Sequence, residues 1–203
     1  MEVLLVGATG VIGRALVPVL LDDGHRVTGT SRSAAGASRI DALGGTGIVL
    51  DLYDEPAVHR VLDQVRPEVL ISQVTDLPDD PAQLAGSRTA NARVRREAVP
   101  RLVAAAAERG VAHILVQSVA WPLTGAGAQA VATMEQATLD AGGTVLRYGQ
   151  LYGDGTYHPV APAGPAVSVQ TAAARTAALL GADSGIVTDS GVVTASGVVT
   201  VTD

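Results

Sequence analysis

Three glycines close to the start of the chain have the spacing of a phosphate-binding loop. In VGATGVIGRAL, Gly7, Gly10 and Gly13 separate a short apolar run from a helical pattern. Glycine allows a tight turn after a strand, and small residues let backbone amides approach a pyrophosphate at the N-terminus of the next helix. The loop therefore predicts dinucleotide binding, and the strand before it and the helix after it strengthen that prediction. The alternative is a tight strand–helix turn that binds no ligand.

The end of the second predicted strand indicates which dinucleotide is bound. An acidic residue there would hold the ribose 2′-hydroxyl of NAD(H), whereas an arginine accommodates the 2′-phosphate of NADP(H). The stretch VTGTSRS contains no Asp or Glu, and it offers Ser31 and Arg32. A hydroxyl and a planar guanidinium suit a phosphate, so we expect NADP(H) rather than NAD(H). The alternative is that Arg32 is a solvated loop residue.

These residues depend on a scaffold that the rest of the chain predicts. Short apolar runs indicate strands at Glu2–Val6, Arg26–Thr30, Gly47–Leu50, Val69–Gln73, His113–Gln117 and Thr144–Arg147. Helical patterns lie between them at Val11–Asp23, Ser38–Leu43, Glu55–Val65, Asn91–Arg109 and Ala128–Ala141, with a polar loop at Pro78–Gly86. This alternation predicts an α/β fold, a doubly wound parallel sheet of the Rossmann type with helices on both faces.

The end of the chain has a different pattern, which predicts a reduced C-terminal lobe. We divide the chain into a nucleotide-binding domain at residues 1–157 and a short substrate lobe at residues 158–203, which contains a predicted helix at Val169–Leu180. Residues 184–201 read SGIVTD, SGVVTA and SGVVTV in succession. Three copies are too few for a solenoid. We expect short strands joined by turns and packed as edge strands, or a frayed tail.

Composition and charge exclude several classes of protein. No apolar run among the 203 residues reaches membrane-spanning length, and the net charge of −6 argues against a nucleic-acid partner. The absence of cysteine excludes disulfides and thiolate metal sites, and we predict no metal. A strand begins close to Met1, so we expect no secretory signal and a cytoplasmic location.

Several motifs together resemble a known family. VGATGVIGRAL, GHRVTGTSRS, VLDLYD, ILVQSVAW and TVLRYGQLYGDGTY are similar to the extended or atypical short-chain dehydrogenase/reductases, which include NAD-dependent epimerase/dehydratases and NmrA-like proteins. The resemblance extends from Met1 to about Tyr157, and more weakly to Asp189.

The resemblance implies a set of cofactor contacts. Asp51 and Leu52 would flank the adenine, and Val74 and Thr75 would line the cofactor after the fourth strand. Ser118 would supply the active-site hydroxyl. Near the nicotinamide the family implies Tyr148, Gln150 and Leu151. With the glycine loop and the second strand, the implied cofactor-binding set is Gly7, Thr9, Gly10, Val11, Ile12, Gly13, Ser31, Arg32, Asp51, Leu52, Val74, Thr75, Ser118, Tyr148, Gln150 and Leu151.

The chain departs from the family at its usual catalytic pair. Such enzymes generally use Tyr-x-x-x-Lys on the helix after the fifth strand, where Tyr transfers a proton and Lys binds the nicotinamide ribose. If Glu135 matches the family's Glu four residues after the Lys, then Val131 occupies the Lys position and Gly127 the Tyr position. Neither can transfer a proton. The sequence contains no lysine at all: its fourteen Lys and Arg residues are all Arg.

Other groups are candidates for the chemistry. We predict that Ser118, Thr75 and Tyr148 converge at the strand ends beside the nicotinamide, with Ser118 donating a hydrogen bond to a substrate carbonyl. Replacement of one such oriented donor would lower turnover by roughly ten- to a thousandfold. Trp121, the only tryptophan, would suit a pocket wall.

A helix that covers residues 91–109 could form a homodimer face, as in relatives of this kind. Its arginines would otherwise be an exposed charged face, and Arg93–Glu97 and Glu97–Arg101 are helical neighbours that reduce their repulsion. The predicted exposed set is Arg93, Arg95, Arg96 and Arg101.

Two functions remain open at this point. The first is an NADP(H)-dependent oxidoreductase that acts on a small molecule with non-standard catalytic residues, because hydride transfer is intrinsic to the nicotinamide and the protein supplies position and a proton. The second is a non-catalytic NADP(H)-binding regulator or sensor of the NmrA-like type. A non-redox isomerase or cyclase could use the same scaffold.

Overall fold

A central parallel sheet of seven strands organises the computed structural model. The structure describes residues 1–180, 186–188, 191–193 and 197–203. The sheet contains β1 (Glu2–Val6), β2 (Arg26–Ser31), β3 (Thr46–Val49), β4 (Val69–Ser72), β5 (His113–Val119), β6 (Thr144–Tyr148) and β11 (Gly197–Val201). Its order is β11-β6-β5-β4-β1-β2-β3, and each neighbouring pair is parallel. The predicted fold class is confirmed.

The helices cover both faces of this sheet. They are α1 (Val11–Asp22), α2 (Ala34–Ala42), α3 (Glu55–Val65), α4 (Leu84–Arg93), α5 (Val99–Glu108), α6 (Gly125–Asp140) and α7 (Val169–Ala178). One buried apolar cluster joins one face of the sheet to α1 and α7, whereas a second joins the opposite face to α3, α5 and α6. No helix in the described ranges is both long and apolar enough to cross a membrane.

The order of the strands reverses beside β1. Successive crossovers lead from β1 to β2 and β3 on one side, and through β4, β5 and β6 on the other. In open α/β sheets, ligands bind in the crevice at the carboxyl ends of the strands where such a reversal occurs. The loops after β1 and β4 therefore border the expected site.

The long helix predicted at residues 91–109 is interrupted, and it begins earlier than expected. The segment predicted as a polar loop already enters α4 at Leu84, and a π turn at Val94–Ala98 separates α4 from α5. Within this turn the Val99 N–H donates to the carbonyl of Val94, five residues back. Pro100 has no N–H to donate to Arg96, so the regular helical ladder cannot continue unbroken through this point.

The burial of Arg95, within the π turn, corrects the predicted charged face. Arg95 is only 6% exposed. Arg93, Arg96 and Arg101 remain exposed, as predicted. A homodimer contact through residues 91–109 stays a prediction.

The segment after residue 157 contributes to the same body as the rest of the chain. Here β8 (Ala166–Ser168) pairs with β7 (Gln150–Tyr152), and α7 packs against α1. The near-repeat forms β9 (Ile186–Thr188) and β10 (Gly191–Val193), which are antiparallel, and β11, which extends the main sheet beside β6. The expected short strands are confirmed, whereas the turns expected at 184–185, 189–190 and 194–196 lie outside the described residues. The division into domains at residue 157 stays a prediction.

Candidate active site

The glycine loop packs tightly against the loop after β4. Gly7 has φ +85°, and a Cβ there would lie 2.9 Å from the carbonyl oxygen of Gln73. A Cβ on Gly13 would lie 2.4 Å from the carbonyl oxygen of Gly7. These two positions need glycine because backbone meets backbone there.

Gly10 has a different environment. It is the N-cap of α1 and is exposed, and among the described residues no side chain accepts a hydrogen bond from the first turn of the helix. A Cβ on Gly10 would approach only the Gly7 carbonyl oxygen, at 3.3 Å, and would otherwise project into open space. The N-terminal N–H groups of a helix are suited to an anion. Thr9 and Val11 are half-buried beside Gly10, and Ile12 belongs to the core.

The end of β2 carries an exposed arginine. The Arg32 side chain is 76% exposed, and its Nη1 donates to Oδ1 of Asp76 at 3.1 Å. The Asp76 N–H donates to Oδ1 of Asn91 at 3.1 Å, which fixes the loop after β4. Ser31 is half-buried, and its Oγ accepts from the Ser33 N–H at 3.4 Å.

The loop after β3 lies in the same neighbourhood. The exposed carboxylate of Asp51 accepts from the Tyr53 N–H at 3.0 Å, and Leu52 packs against the core. The Arg93 guanidinium lies 4.4 Å from the centre of the Tyr53 ring. Burial raises the pKa of Tyr53, and Arg93 opposes that effect.

Val74 and Thr75 follow β4 and are both half-buried. The N–H of Val74 is so close to the glycine loop that a Cβ on Gly7 would lie 3.2 Å from the nitrogen. The two predicted cofactor segments, after β1 and after β4, are therefore adjacent. Further along, the Gln150 amide donates to the carbonyl of Ala163 at 3.3 Å, and Leu151 is half-buried.

Tyr148 is enclosed in the core. Its hydroxyl accepts from Nε2 of Gln73 at 2.9 Å and lies 2.5 Å from Oγ1 of Thr176. Thr176 donates its own proton to the carbonyl of Ala172, so Tyr148 is the donor to Thr176. Complete burial raises the pKa of Tyr148 to about 12. The phenol is therefore neutral and doubly hydrogen-bonded at physiological pH.

Ser118 belongs to a separate polar cluster. It is fully buried, and its Oγ donates to Oε1 of Glu135 at 2.5 Å. Arg147 donates to both oxygens of Glu135, from Nε at 2.9 Å and from Nη2 at 2.5 Å. Burial alone would raise the pKa of Glu135, but the hydrogen bonds from Arg147 and Ser118 lower it overall. The carboxylate is thus ionised and firmly held.

The expected convergence of Ser118, Thr75 and Tyr148 is wrong in one respect. Ser118 is paired with Arg147 across β5 and β6, and Tyr148 is the next residue along β6. Because successive side chains of a strand point to opposite faces, Ser118 faces Glu135 on α6 while Tyr148 faces Thr176 on α7. The catalytic roles assigned to Ser118, Thr75 and Tyr148 stay predictions.

A cleft of about 340 Å³ lies between the end of β5 and α6. Trp121 lines it, as predicted for a pocket wall, and so do Val131, Glu135 and Arg147. A Cβ on Gly127 would have no neighbour within 4 Å, so this position also faces open space.

A family model for the "NAD dependent epimerase/dehydratase family" matches residues 3–122, which include the glycine loop, the end of β2 and all of β5. The chain belongs to the NAD dependent epimerase/dehydratase family. The structures most similar to this family member include the Thermus thermophilus UDP-glucose 4-epimerase in complex with NAD, with a TM-score of 0.77 and 20% identity over 100% of this chain and 78% of that one. Another is the Bordetella bronchiseptica enzyme WbmH in complex with NAD+, with a TM-score of 0.74 and 16% identity over 99% of this chain and 75% of that one. At these identities the likeness shows the fold alone.

One curated relative is considerably more similar in sequence. The "3-diazoavenalumate denitrifying reductase" of a Streptomyces species is 37% identical over 183 residues, which cover 77% of this chain and 58% of the relative. The 3-oxoacyl-[acyl-carrier-protein] reductase FabG of Escherichia coli strain K12 is 40% identical over 68 residues, which cover 32% of this chain and 28% of the relative. This epimerase/dehydratase-family chain therefore spans little more than half the length of the first relative.

Two residues in this region have roles that the sequence-based predictions did not include. In the sequence analysis Glu135 was used only to align the family's Tyr and Lys positions with this chain, and Arg147 appeared only as the last residue of a predicted strand. Glutamate is common in helices, but an arginine in an otherwise apolar strand is unusual unless it is paired, and Arg147 therefore predicts an acidic partner on a neighbouring element. That signal could have been found before the structure.

Proposed function

We propose that this protein is an NADP(H)-dependent reductase that removes nitrogen from a small aryl diazonium compound. The proposal is supported by three features: the glycine-loop geometry, the arginine at the end of β2, and a cleft beside α6 from which the usual proton-donating pair is missing. The name of the Streptomyces relative supports the same class of substrate.

The residues present fit a dinucleotide. Gly10 leaves the N-terminus of α1 open to a pyrophosphate, and Gly7 and Gly13 hold the backbone turn in place. Arg32 would hold a 2′-phosphate after exchanging its exposed ion pair with Asp76, since such pairs are worth only about 0–1 kcal/mol. When bound, NADPH supplies a hydride to the substrate.

The observation that carries the proposal concerns Gly127 and Val131. Gly127 faces open space, and Val131 lines the cleft. Glycine has no side chain and valine has only an alkyl one, so neither residue can donate a proton to a substrate. The sequence also contains no lysine. Reduction of a carbonyl consumes a proton as well as a hydride, and that proton is normally supplied by a positioned side chain. A substrate that needs no proton fits this cleft better.

A diazonium group is such a substrate. When hydride replaces the nitrogen, a carbon–hydrogen bond forms and the carbon–nitrogen bond breaks. The electron pair of the broken bond leaves with N2, and the positive charge of the diazonium cancels the negative charge of the hydride. No proton enters the balance. The cleft would exclude water and position the reacting carbon, while Trp121 would pack against the organic part of the substrate.

The test is turnover of a simple arenediazonium salt, 4-methoxybenzenediazonium, with NADPH deuterated at C4. We expect N2 release, anisole that carries deuterium from the cofactor, and a rate that changes little between about pH 6 and pH 9 because no general acid takes part. Reactions without protein, and with the Gly10→Val variant, give the background. Acetophenone serves as a carbonyl control that we expect to remain unreduced.

Two outcomes would contradict the proposal. A diazonium rate no faster than the background excludes the activity, and reduction of acetophenone at a similar rate would indicate a proton donor that Gly127 and Val131 do not provide. If neither compound reacts while NADPH binds tightly and promotes binding of a protein partner, the regulator is the better interpretation.

A further inference from the structure

A chain of buried hydrogen bonds crosses the apolar packing between the sheet and α7. Nε2 of Gln73 donates to the Tyr148 hydroxyl at 2.9 Å, and that hydroxyl donates to Oγ1 of Thr176 at 2.5 Å. Thr176 in turn donates to the carbonyl of Ala172 at 2.6 Å, one turn earlier on α7. Tyr148 and Ala172 both belong to the apolar cluster that joins this face of the sheet to α1 and α7. The chain therefore links the end of β4 to α7 through the last residue of β6.

The orientation of the Gln73 amide follows from this chain. Each hydroxyl has a single proton, and Tyr148 and Thr176 both donate theirs towards α7, so only an N–H of Gln73 completes the contact with Tyr148. The amide oxygen therefore points away from Tyr148, and Gln73 Oε1 is fully enclosed with no partner among the described residues. An enclosed acceptor without a partner costs free energy, which an apolar side chain of similar shape would avoid. Stability alone does not account for this glutamine.

The main chain of Gln73 lies directly against the glycine loop. The Gln73 N–H donates to the carbonyl of Val6 at 2.8 Å. A Cβ on Gly7 would lie 2.9 Å from the Gln73 carbonyl oxygen and 3.2 Å from the nitrogen of Val74. The peptide between Gln73 and Val74 is thus in contact with the backbone of Gly7. It follows Ser72, where the regular pairing of β4 with β1 ends, so the sheet no longer fixes its orientation.

We infer that Gln73 is a positioning residue of the dinucleotide site, anchored by Tyr148 and Thr176. Satisfied hydrogen bonds within a core select one arrangement of the groups that make them. The chain holds the Gln73 side chain, and with it the peptide that supports the turn at Gly7. This turn leads into the N-terminus of α1, where a pyrophosphate would bind. The inference deepens the proposed function and rests on it only in taking the glycine loop as the dinucleotide site.

Thr176 gives the sharpest test, because it lies at the far end of the chain on α7. Thr176→Val has nearly the same shape but cannot accept the proton of Tyr148, whereas Thr176→Ser keeps the hydroxyl. Thr176→Val should weaken the binding of NADPH and of NADH by about three- to tenfold, the range of one net hydrogen bond. Thr176→Ser should bind both as tightly as the wild type. Calorimetric titration measures the affinities, at a temperature where thermal unfolding shows every variant to be folded.

Thr138 provides a matched control on the opposite face of the sheet. It is fully buried in α6, and its Oγ1 also donates to the carbonyl four residues earlier, that of Met134, at 2.8 Å. Thr138→Val removes the same kind of hydroxyl and should leave both nucleotide affinities unchanged. If Thr138→Val weakens the nucleotides as much as Thr176→Val does, the loss acts through general stability and the inference is wrong.

Gln73→Leu and Tyr148→Phe test the middle of the chain, and they decide the question if Thr176→Val fails to fold. Each should weaken both nucleotides, and the double variant should bind no more weakly than the weaker single variant, because both changes break the same chain. Gln73→Leu should keep the midpoint of thermal unfolding near that of the wild type, since it removes the unpaired oxygen. A lower midpoint with unchanged nucleotide affinity would make Gln73 purely structural and overturn the inference. Multiplying losses of affinity in the double variant would also overturn it.

The titrations separate this inference from the proposed function. Wild-type nucleotide binding that Thr176→Val leaves unchanged would overturn the inference and leave diazonium reduction open. Weaker binding in Thr176→Val and wild-type affinity in Thr176→Ser, without diazonium turnover by the wild type, would support the inference and contradict the proposed function. A wild type that binds neither nucleotide would contradict both.

Discussion

Arg32 and Asp76 connect the carboxyl ends of two strands that are not neighbours in the sheet. Nη1 of Arg32 lies 3.1 Å from Oδ1 of Asp76, although β1 separates β2 from β4. The pair therefore crosses the end of β1, where the glycine loop begins. A cofactor that follows the loop to the end of β2 has to meet this ion pair.

The pair makes cofactor choice testable. Arg32→Ala should weaken NADPH about ten- to a hundredfold and leave NADH unchanged, because one charge-assisted contact to the 2′-phosphate is lost. Calorimetric titration of wild type and variant with both nucleotides measures this. Equal affinities in the wild type would show that the protein does not select NADPH.

Asp76→Asn tests the proposed contact between Arg32 and the 2′-phosphate by removing the carboxylate that competes for Arg32. NADPH should therefore bind more tightly and NADH should bind as before. The same titration gives the answer. Weaker NADPH binding in Asp76→Asn would indicate that the aspartate itself holds the nucleotide.

Gly10 and Gly13 should respond very differently to a side chain. Gly10→Val projects into open space at the N-cap of α1, so it should abolish NADPH binding while the midpoint of thermal unfolding stays near that of the wild type. Gly13→Ala would force a Cβ to 2.4 Å from the Gly7 carbonyl oxygen, so it should destabilise the fold by at least about 1–3 kcal/mol. Unchanged NADPH affinity in Gly10→Val would show that the loop has only a structural role.

Ser118→Ala tells a direct donor from a positioning residue. The Ser118 hydroxyl is fully buried and donates to Glu135, so we expect a loss of about 1 kcal/mol of stability and less than about a tenfold loss of turnover. A direct hydrogen bond to the substrate would cost far more turnover, up to about a thousandfold. Steady-state rates and thermal unfolding of the same variant separate the two roles.

Much of the fold could be predicted because its signals are local. Most of these strands are short apolar runs, and the predicted positions of β1, β2, β4, β5 and β6 agree with the structure to within a residue or two. The glycine loop was predictable for the same reason, since its spacing and its flanking elements are contiguous.

The two predictions that were wrong, the exposure of Arg95 and the convergence of Ser118 with Tyr148, depend on packing between elements that are distant in the sequence. Arg95 was expected to be exposed because it is charged and adjoins Arg96, but it lies on the buried side of the π turn with Val94 and Ala98. Ser118 and Tyr148 both stand near the end of a strand, but the register between β5 and β6 sets their faces. A shift of one residue in that register would put both side chains on the same face, and nothing in either segment determines it locally.

Tyr148 gives the last prediction, which concerns alkaline stability. Its pKa is about 12 in the folded protein and close to 10 when unfolded. Between these values the unfolded chain releases the proton and the folded protein retains it, so stability should fall as the pH rises from 10 towards 12 and be fully present below 10. Tyr148→Phe should lack this steep loss and, at neutral pH, should be less stable by about 1–3 kcal/mol because Gln73 and Thr176 lose their partner. Urea unfolding of both proteins at pH 7 and across the alkaline range measures both effects. An identical alkaline profile in the variant would show that the phenol of Tyr148 does not govern it.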